Sequence, residues 1–282
     1  MFKEKSGYLF IILAMLIWGS IGIIVRLIPY SAELIVFYRV FFAFLFLLSV
    51  AVINKKSFKL EKLKENKLLL LGSGVALALN WIFFFQAVKA TTIANATLIY
   101  YTAPMIATLL SSLWLKETLT KQGIIALVLS FIGAVIIFSK GDISLKLSGW
   151  QGISYGLIAA FFYALFTVFN KFIIDLSSYL LTLIQTGIAI LMLAPFVLDY
   201  QQPEGSYWIL LILLGVVHTA LALILYLKGL SLSKVQDVGV LSYLDPLSAI
   251  LLAFIFLKEI PTVTTLLGGG LILVSSYLVI SN

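Results

Sequence analysis

Cysteine is absent from this chain, and histidine occurs once, at position 218. The first absence rules out disulfides and thiolate chemistry. The second rules out any metal site built on two histidines. Charge is also scarce. Asp, Glu, Lys and Arg make up 11% of the residues, against about 25% in an ordinary soluble domain. No Gly-Lys-Ser/Thr phosphate loop is present, so nothing points to ATP as a drive. No Ser-His-Asp spacing supports an enzyme. Neither a cofactor nor a metal is implied.

What the chain has instead is apolar length. Of its 282 residues, 62% are hydrophobic, and the mean hydropathy is +1.14. A membrane-crossing helix needs about 20 mostly apolar residues. Ten stretches qualify: 8–28, 32–53, 68–88, 92–115, 122–138, 150–170, 179–198, 207–227, 235–257 and 263–280. The first is too long for the apolar core of a signal peptide, and no small-x-small cleavage site follows it. The reading is an all-α polytopic membrane protein whose solvent is a lipid bilayer.

The net charge of +7 would suggest nucleic acid until the cations are placed. With the N-terminus in the cytoplasm, thirteen Lys fall on cytoplasmic loops: Lys3, Lys5, Lys55, Lys56, Lys59, Lys62, Lys64, Lys67, Lys116, Lys121, Lys171, Lys228 and Lys234. Five cations fall outside: Arg26, Lys89, Lys140, Lys146 and Lys258. Arg39 lies inside a span. The excess orients the protein in the plasma membrane with both termini cytoplasmic. Nucleic acid is therefore not an expected partner.

One segment occurs twice. Tyr101-Thr-Ala-Pro104 leads through an apolar run to Leu115-Lys-Glu117, and Tyr243-Leu-Asp-Pro246 leads to Leu257-Lys-Glu259. The offset is 142 residues with no gap. Weaker matches pair Trp18-Gly19 through Arg26 with Tyr163-Ala164 through Lys171. Arg39 pairs with Gln185, and Phe84-Phe85-Gln86-Ala87 pairs with Tyr226-Leu227-Lys228-Gly229. The repeat divides the chain into 1–140 and 141–282. Each half has five spans, an odd number, so the second half enters the membrane from the other side. The expected fold is two inverted five-helix repeats, a common build of secondary transporters.

Pro104 and Pro246 fall near the middle of spans four and nine. A proline there removes a hydrogen bond and clashes with the carbonyl four residues back. The expectation is a pair of kinks that gate or line a path at the membrane midplane. Asp245 lies about ten residues from either end of its span, or roughly 15 Å from each surface. Its insertion costs about 2.5–3.5 kcal/mol, so it needs a partner or water. Three readings stand: a proton carrier or countercharge, an anchor for helix packing, or an inert protonated acid. His218 is its nearest candidate partner by depth, and Arg39 is the nearest permanent charge. His218 itself reads as a packing residue or a proton relay, on a face with Gly215, Ala222 and Tyr226. Arg39 reads as bonded to neighbouring helix carbonyls, as snorkelling, or as binding a substrate carboxylate. Asn80 is another polar group at mid-depth. Thr97, Tyr101, Pro104, Thr108, Ser111 and Ser112 form a polar stripe on span four. Trp18, Tyr101, Tyr163 and Tyr243 lie too deep for interface anchors and offer aromatic walls. The small residues of spans five and ten suit close packing or a homodimer contact.

These features resemble the EamA branch of the drug/metabolite transporter superfamily: ten spans, Trp18-Gly19 in the first, Arg39 in the second, and Pro-x10-Leu-Lys-Glu closing spans four and nine. Asp245 departs from the small residue more usual before that proline; the first half has Ala103 there. The resemblance implies a secondary transporter that exports small metabolites such as amino acids by alternating access. The expected substrate-binding set is Trp18, Asn80, Tyr101, Thr108, Tyr163, His218, Tyr243 and Asp245. Asp245 and His218 would couple ions. Two alternatives stay open: a proton-coupled transporter of organic cations or drugs, and a membrane receptor or scaffold without flux.

Overall fold

The computed structural model describes residues 2–54, 60–91, 93–138, 150–198 and 201–281. The boundary expected between the halves, and Lys55, Lys56, Lys59, Lys140 and Lys146, lie outside the described residues. Among the described residues, ten helices are long and apolar enough to cross a membrane. They are Lys5–Val25, Ala32–Ile53, Lys67–Ala90, Asn95–Trp114, Lys121–Phe138, Trp150–Phe172, Ser178–Phe196, Tyr207–Leu232, Val235–Leu257 and Val263–Ile280, numbered here as spans one to ten. A short helix, Leu60–Glu65, precedes span three. No strand occurs among the described residues. This is a multi-pass all-α membrane protein.

Outward faces carry large apolar side chains such as Leu13, Leu109, Phe254 and Leu266. A bilayer asks for this, because the hydrocarbon offers no partner for polar groups and the helices keep their backbone bonds internal. Polar residues turn inward. Ser73, Gln185 and Asn170 form a buried chain, with Gln185 Nε2 donating to Ser73 Oγ at 2.9 Å and to Asn170 Oδ1 at 2.7 Å.

The most extensive span contacts come in matched sets. Spans one and eight pair, as do six and three; spans one and nine pair, as do six and four; spans two and eight pair, as do seven and three. Spans two and seven, four and nine, and five and ten pair with each other. Exchanging the halves leaves this scheme unchanged, which fits two inverted five-helix repeats. Spans five and ten cover each other's small faces within the chain. A Cβ on Gly268 would stand 2.4 Å from the Gly133 carbonyl oxygen, and Ser130 Oγ lies 2.5 Å from Ser275 Oγ.

The two prolines do more than kink their spans. Span four is two helices, Ile93–Tyr100 and Ala103–Trp114, and span nine is Val235–Ser242 and Leu244–Leu257. Pro104 sits at the start of its second segment, where a missing N–H costs nothing. The Leu-Lys-Glu repeat is a helix terminus. Lys116 and Lys258 both take left-handed backbone, with φ of 56° and 55°. In each half the following glutamate amide returns to a carbonyl six residues earlier, Glu117 to Ser111 and Glu259 to Ala253.

Candidate functional site

Where the broken spans cross, the breaks hold each other. The Tyr243 hydroxyl donates to the Tyr101 carbonyl at 2.6 Å, and the Tyr101 hydroxyl donates to Asp245 Oδ2 at 3.2 Å. Each tyrosine occupies the same place in its own half. Carbonyls released by a helix break need a donor in a dry interior, and here the second break supplies one to the first.

Beside this crossing lies a cavity of about 730 Å³, within the range of about 300–1,000 Å³ usual for small-molecule sites. Its walls are aromatic: Trp18, Trp81, Phe84, Phe85, Tyr100, Tyr101, Phe138 and Tyr163 all face it. Arg39, Asn80, His218 and Asp245 are its polar points at depth. It extends to Arg26, Glu259 and Thr262, at the face opposite the N-terminus. On the N-terminal face, Tyr8 donates to Asp237 at 2.8 Å, joining spans one and nine.

Of the residues the sequence singled out, Trp18, Asn80, Tyr101, Tyr163, His218, Asp245, Arg39, Pro104 and Pro246 line this cavity. Two do not. Tyr243 is fully buried, its hydroxyl spent on Tyr101. Thr108 is buried, and its hydroxyl bonds back to the Pro104 carbonyl at 2.8 Å. It packs instead toward Gly239 of span nine. The polar stripe of span four is thus divided at Pro104: Thr97, Tyr101 and Pro104 face the cavity, while Thr108 and Ser111 are sealed into helix contacts.

The expected partners of Asp245 differ from those found. His218 faces span one, with Nε2 2.8 Å from Ser20 Oγ. The Ser20 hydroxyl also reaches the Ile17 carbonyl at 2.7 Å, and His218 Nδ1 lies 3.5 Å from the Leu213 carbonyl. A π-helical turn, Val216–Leu221, carries this histidine. That turn breaks the helical face expected to run from Gly215 through Tyr226. Gly215 packs against span two at Phe42 and Arg39, and Tyr226 receives the Tyr163 hydroxyl at 2.9 Å. The π-turn leaves the His218 carbonyl to accept from Trp18 Nε1 at 3.0 Å.

Arg39 differs too. Among the described residues it makes no hydrogen bond to a helix carbonyl and no ion pair; its guanidinium lies 5.0 Å from the centre of the Trp81 ring. Its Nε is buried without a hydrogen-bond partner. Such an orphaned donor is costly in a dry interior. Asn80, by contrast, is engaged: its amide donates to Tyr100 at 3.0 Å and to the Ala159 carbonyl at 2.9 Å, bracing spans three, four and six around the cavity. Gly19 completes the wall. A Cβ there would meet Ser248 Cβ at 2.5 Å and the Asp245 carbonyl at 2.9 Å, so only glycine lets span one lie against span nine at this depth.

Sequence reasoning passed over Trp81 and Tyr100 as wall residues. The signal was the helical spacing of Trp81 from Leu77 and Phe84, which three-sided apolar character hides.

Known proteins bear on this arrangement. The profile of the EamA-like transporter family matches residues 5–139 and again residues 150–281. The chain is 30% identical over 271 residues to the uncharacterized transporter YxxF of Bacillus subtilis, covering 94% of this chain and 87% of that one. It is 28% identical over 294 residues to the uncharacterized inner membrane transporter YicL of Salmonella typhimurium, covering 98% and 96%. Protein RarD of Salmonella typhi is 24% identical over 270 residues, covering 92% and 89%. One solved crystal structure superposes with a TM-score of 0.87 at 18% identity, over 97% of this chain and 96% of its own; that likeness speaks for the fold.

Proposed function

Since the chain belongs to the EamA-like transporter family, we propose that this membrane transporter exports small metabolites such as amino acids by alternating access. The observation that carries this reading is the pair of opposite charges in one aromatic cavity. Among the described residues, Arg39 offers a guanidinium with no counter-ion, and Asp245 offers a carboxyl group held by a tyrosine hydroxyl. An amino acid carries the complement of both. Its carboxylate would meet Arg39, where a planar fork of donors suits two oxygens. Its ammonium would meet Asp245. The aromatic walls would take the side chain and any methylene body. The metabolite pays for lost hydration with these contacts and with apolar burial.

In this reading the N-terminal face is cytoplasmic, in the plasma membrane, and the cavity faces outward. A reporter fused after Asn282 is expected to be active in its cytoplasmic form. The broken spans four and nine supply the moving parts. Their breaks interrupt the helix ladder, so the half-helices can tilt without loss of many backbone bonds.

The test is binding followed by flux. Purified protein is melted with amino acids, choline-like cations and nucleotide sugars, because a substrate raises the apparent stability of the native state it binds. Any hit then enters counterflow in proteoliposomes. Stabilisation by amino acids with matching counterflow supports the reading. Stabilisation by cations alone moves the assignment to organic cations, with Asp245 as the sole anchor. No counterflow for any compound overturns transport and leaves a receptor or scaffold.

A further inference from the structure

Two ion pairs occupy equivalent places in the halves and differ in what else they touch. Arg26 ends span one and meets Glu259, which ends span nine, at 2.7 Å. Lys171 ends span six and meets Glu117, which ends span four, at 3.7 Å. Under the alignment of the halves, Arg26 corresponds to Lys171 and Glu259 to Glu117. The first pair lies on the face opposite the N-terminus, where the cavity opens, and both side chains are more than half exposed. The second lies on the N-terminal face and is largely buried, at 19% and 16%.

The buried pair is tied onward. Lys171 Nζ also donates to the Leu230 carbonyl at 2.9 Å and to the Ser233 carbonyl, at the end of span eight. Glu117 accepts from the Val235 amide at 2.9 Å, at the start of span nine. Nearby, the Thr120 amide donates to Gln236 at 3.1 Å. Spans four and six are thereby fastened across the chain to spans eight and nine on that face. The exposed pair has no such fastening; among the described residues the Arg26 side chain bonds to Glu259 alone.

We propose that these two ion pairs are the gating residues of the transporter, acting as alternating latches: the Lys171–Glu117 pair, fastened to the ends of spans eight and nine, shuts the N-terminal face in this state, and the Arg26–Glu259 pair fastens in the same manner to the end of span three when the opposite face shuts. The register of the repeat names the receiving groups. Leu230 and Ser233 correspond to Val88 and Thr91, so Arg26 bonds those two carbonyls in the other state. A cation at a helix C-terminus is favoured by the unpaired carbonyls and the dipole there, which gives either latch its hold. The inference rests on the alternating-access reading above but names residues that reading does not need.

Accessibility tests it without reference to any substrate, and the absence of native cysteine makes thiol probes clean. Ala253 lines the cavity toward the open face; its counterpart Ser111 is fully buried. Ala253→Cys and Ser111→Cys are made separately and labelled with an impermeant maleimide from each side of sealed vesicles. Lys171→Gln is expected to raise labelling of Ser111→Cys from the N-terminal face and lower that of Ala253→Cys. Arg26→Gln is expected to do the opposite. Each shifts the ratio of the two rates by about tenfold, the scale of losing one charged hydrogen-bond set. Changes of the same sign in both variants, or no change in folded protein, overturn the proposal. Should Lys171→Gln fail to fold, Arg26→Cys with Thr91→Cys, without Ala253→Cys, is treated with a short bis-maleimide and digested: a peptide joining the two positions supports the approach of the end of span one to the end of span three, and its absence in folded protein overturns the latch. Opposite shifts without counterflow of any metabolite would leave the latches standing and remove the export reading; counterflow without opposite shifts would do the reverse.

Discussion

The hydroxyl of Tyr243 donates to the backbone carbonyl of Tyr101 at 2.6 Å, so the break in one half of the repeat is closed by a side chain from the other. Tyr243→Phe keeps the ring and removes the donor. The Tyr101 carbonyl would then be buried unpaired, at a cost of about 1–3 kcal/mol. A lower melting temperature in detergent is expected, with substrate specificity unchanged. Wild-type stability would show that water or another donor serves that carbonyl.

Asp245→Asn separates charge from shape. Asparagine keeps the bond from Tyr101 but cannot ionise. Expression and folding are expected to stay near normal while the pH dependence of transport flattens. Protonation of Asp245, the proposed anchor of the substrate ammonium, would be the source of that pH dependence. An unchanged pH profile would make the residue inert, and loss of folded protein with intact transport per molecule would make it a packing anchor.

Arg39→Gln removes the unpaired guanidinium. For a carboxylate-bearing substrate, affinity is expected to fall at least about tenfold, since bonds to charged groups contribute about 1.5–3 kcal/mol. The corresponding amine, lacking the carboxylate, should lose nothing. Competition binding with both compounds measures the difference. Equal losses would assign Arg39 to the Trp81 contact and the packing of span two.

Gly268→Val drives a side chain into the Gly133 carbonyl, only 2.4 Å from where its Cβ would stand. Overpacking of this kind costs about 1–3 kcal/mol. The melting temperature is expected to drop, while Gly270→Val, at a position whose Cβ meets open space, is expected to be tolerated. Equal effects at both positions would argue against the close contact of spans five and ten.

Much of the fold was legible in the chain because a bilayer imposes a length rule. The ten apolar stretches match the ten observed spans, with ends shifted by a few residues. Span eight runs to Leu232, five residues past its expected end, and it contains the π-turn that apolar composition does not reveal. The repeat marked the broken spans, since only a mid-span proline held in both halves singled out Pro104 and Pro246. It also held the ion pairs in view, at Leu-Lys-Glu and at the ends of spans one and six, without indicating what they join.

Sequence by itself determined the solvent, the number of spans, the duplication and the presence of a costly midplane carboxylate, because each follows from composition and spacing along one dimension. Tertiary structure decided who meets whom. Asp245 is held by Tyr101 and not by His218, Arg39 meets an aromatic face and no anion among the described residues, and Thr108 and Tyr243 are drawn out of the cavity into helix contacts. Those choices depend on which helix crosses which, at what depth and in what rotation. Helical periodicity shows which residues share a face; it does not say what that face will be set against.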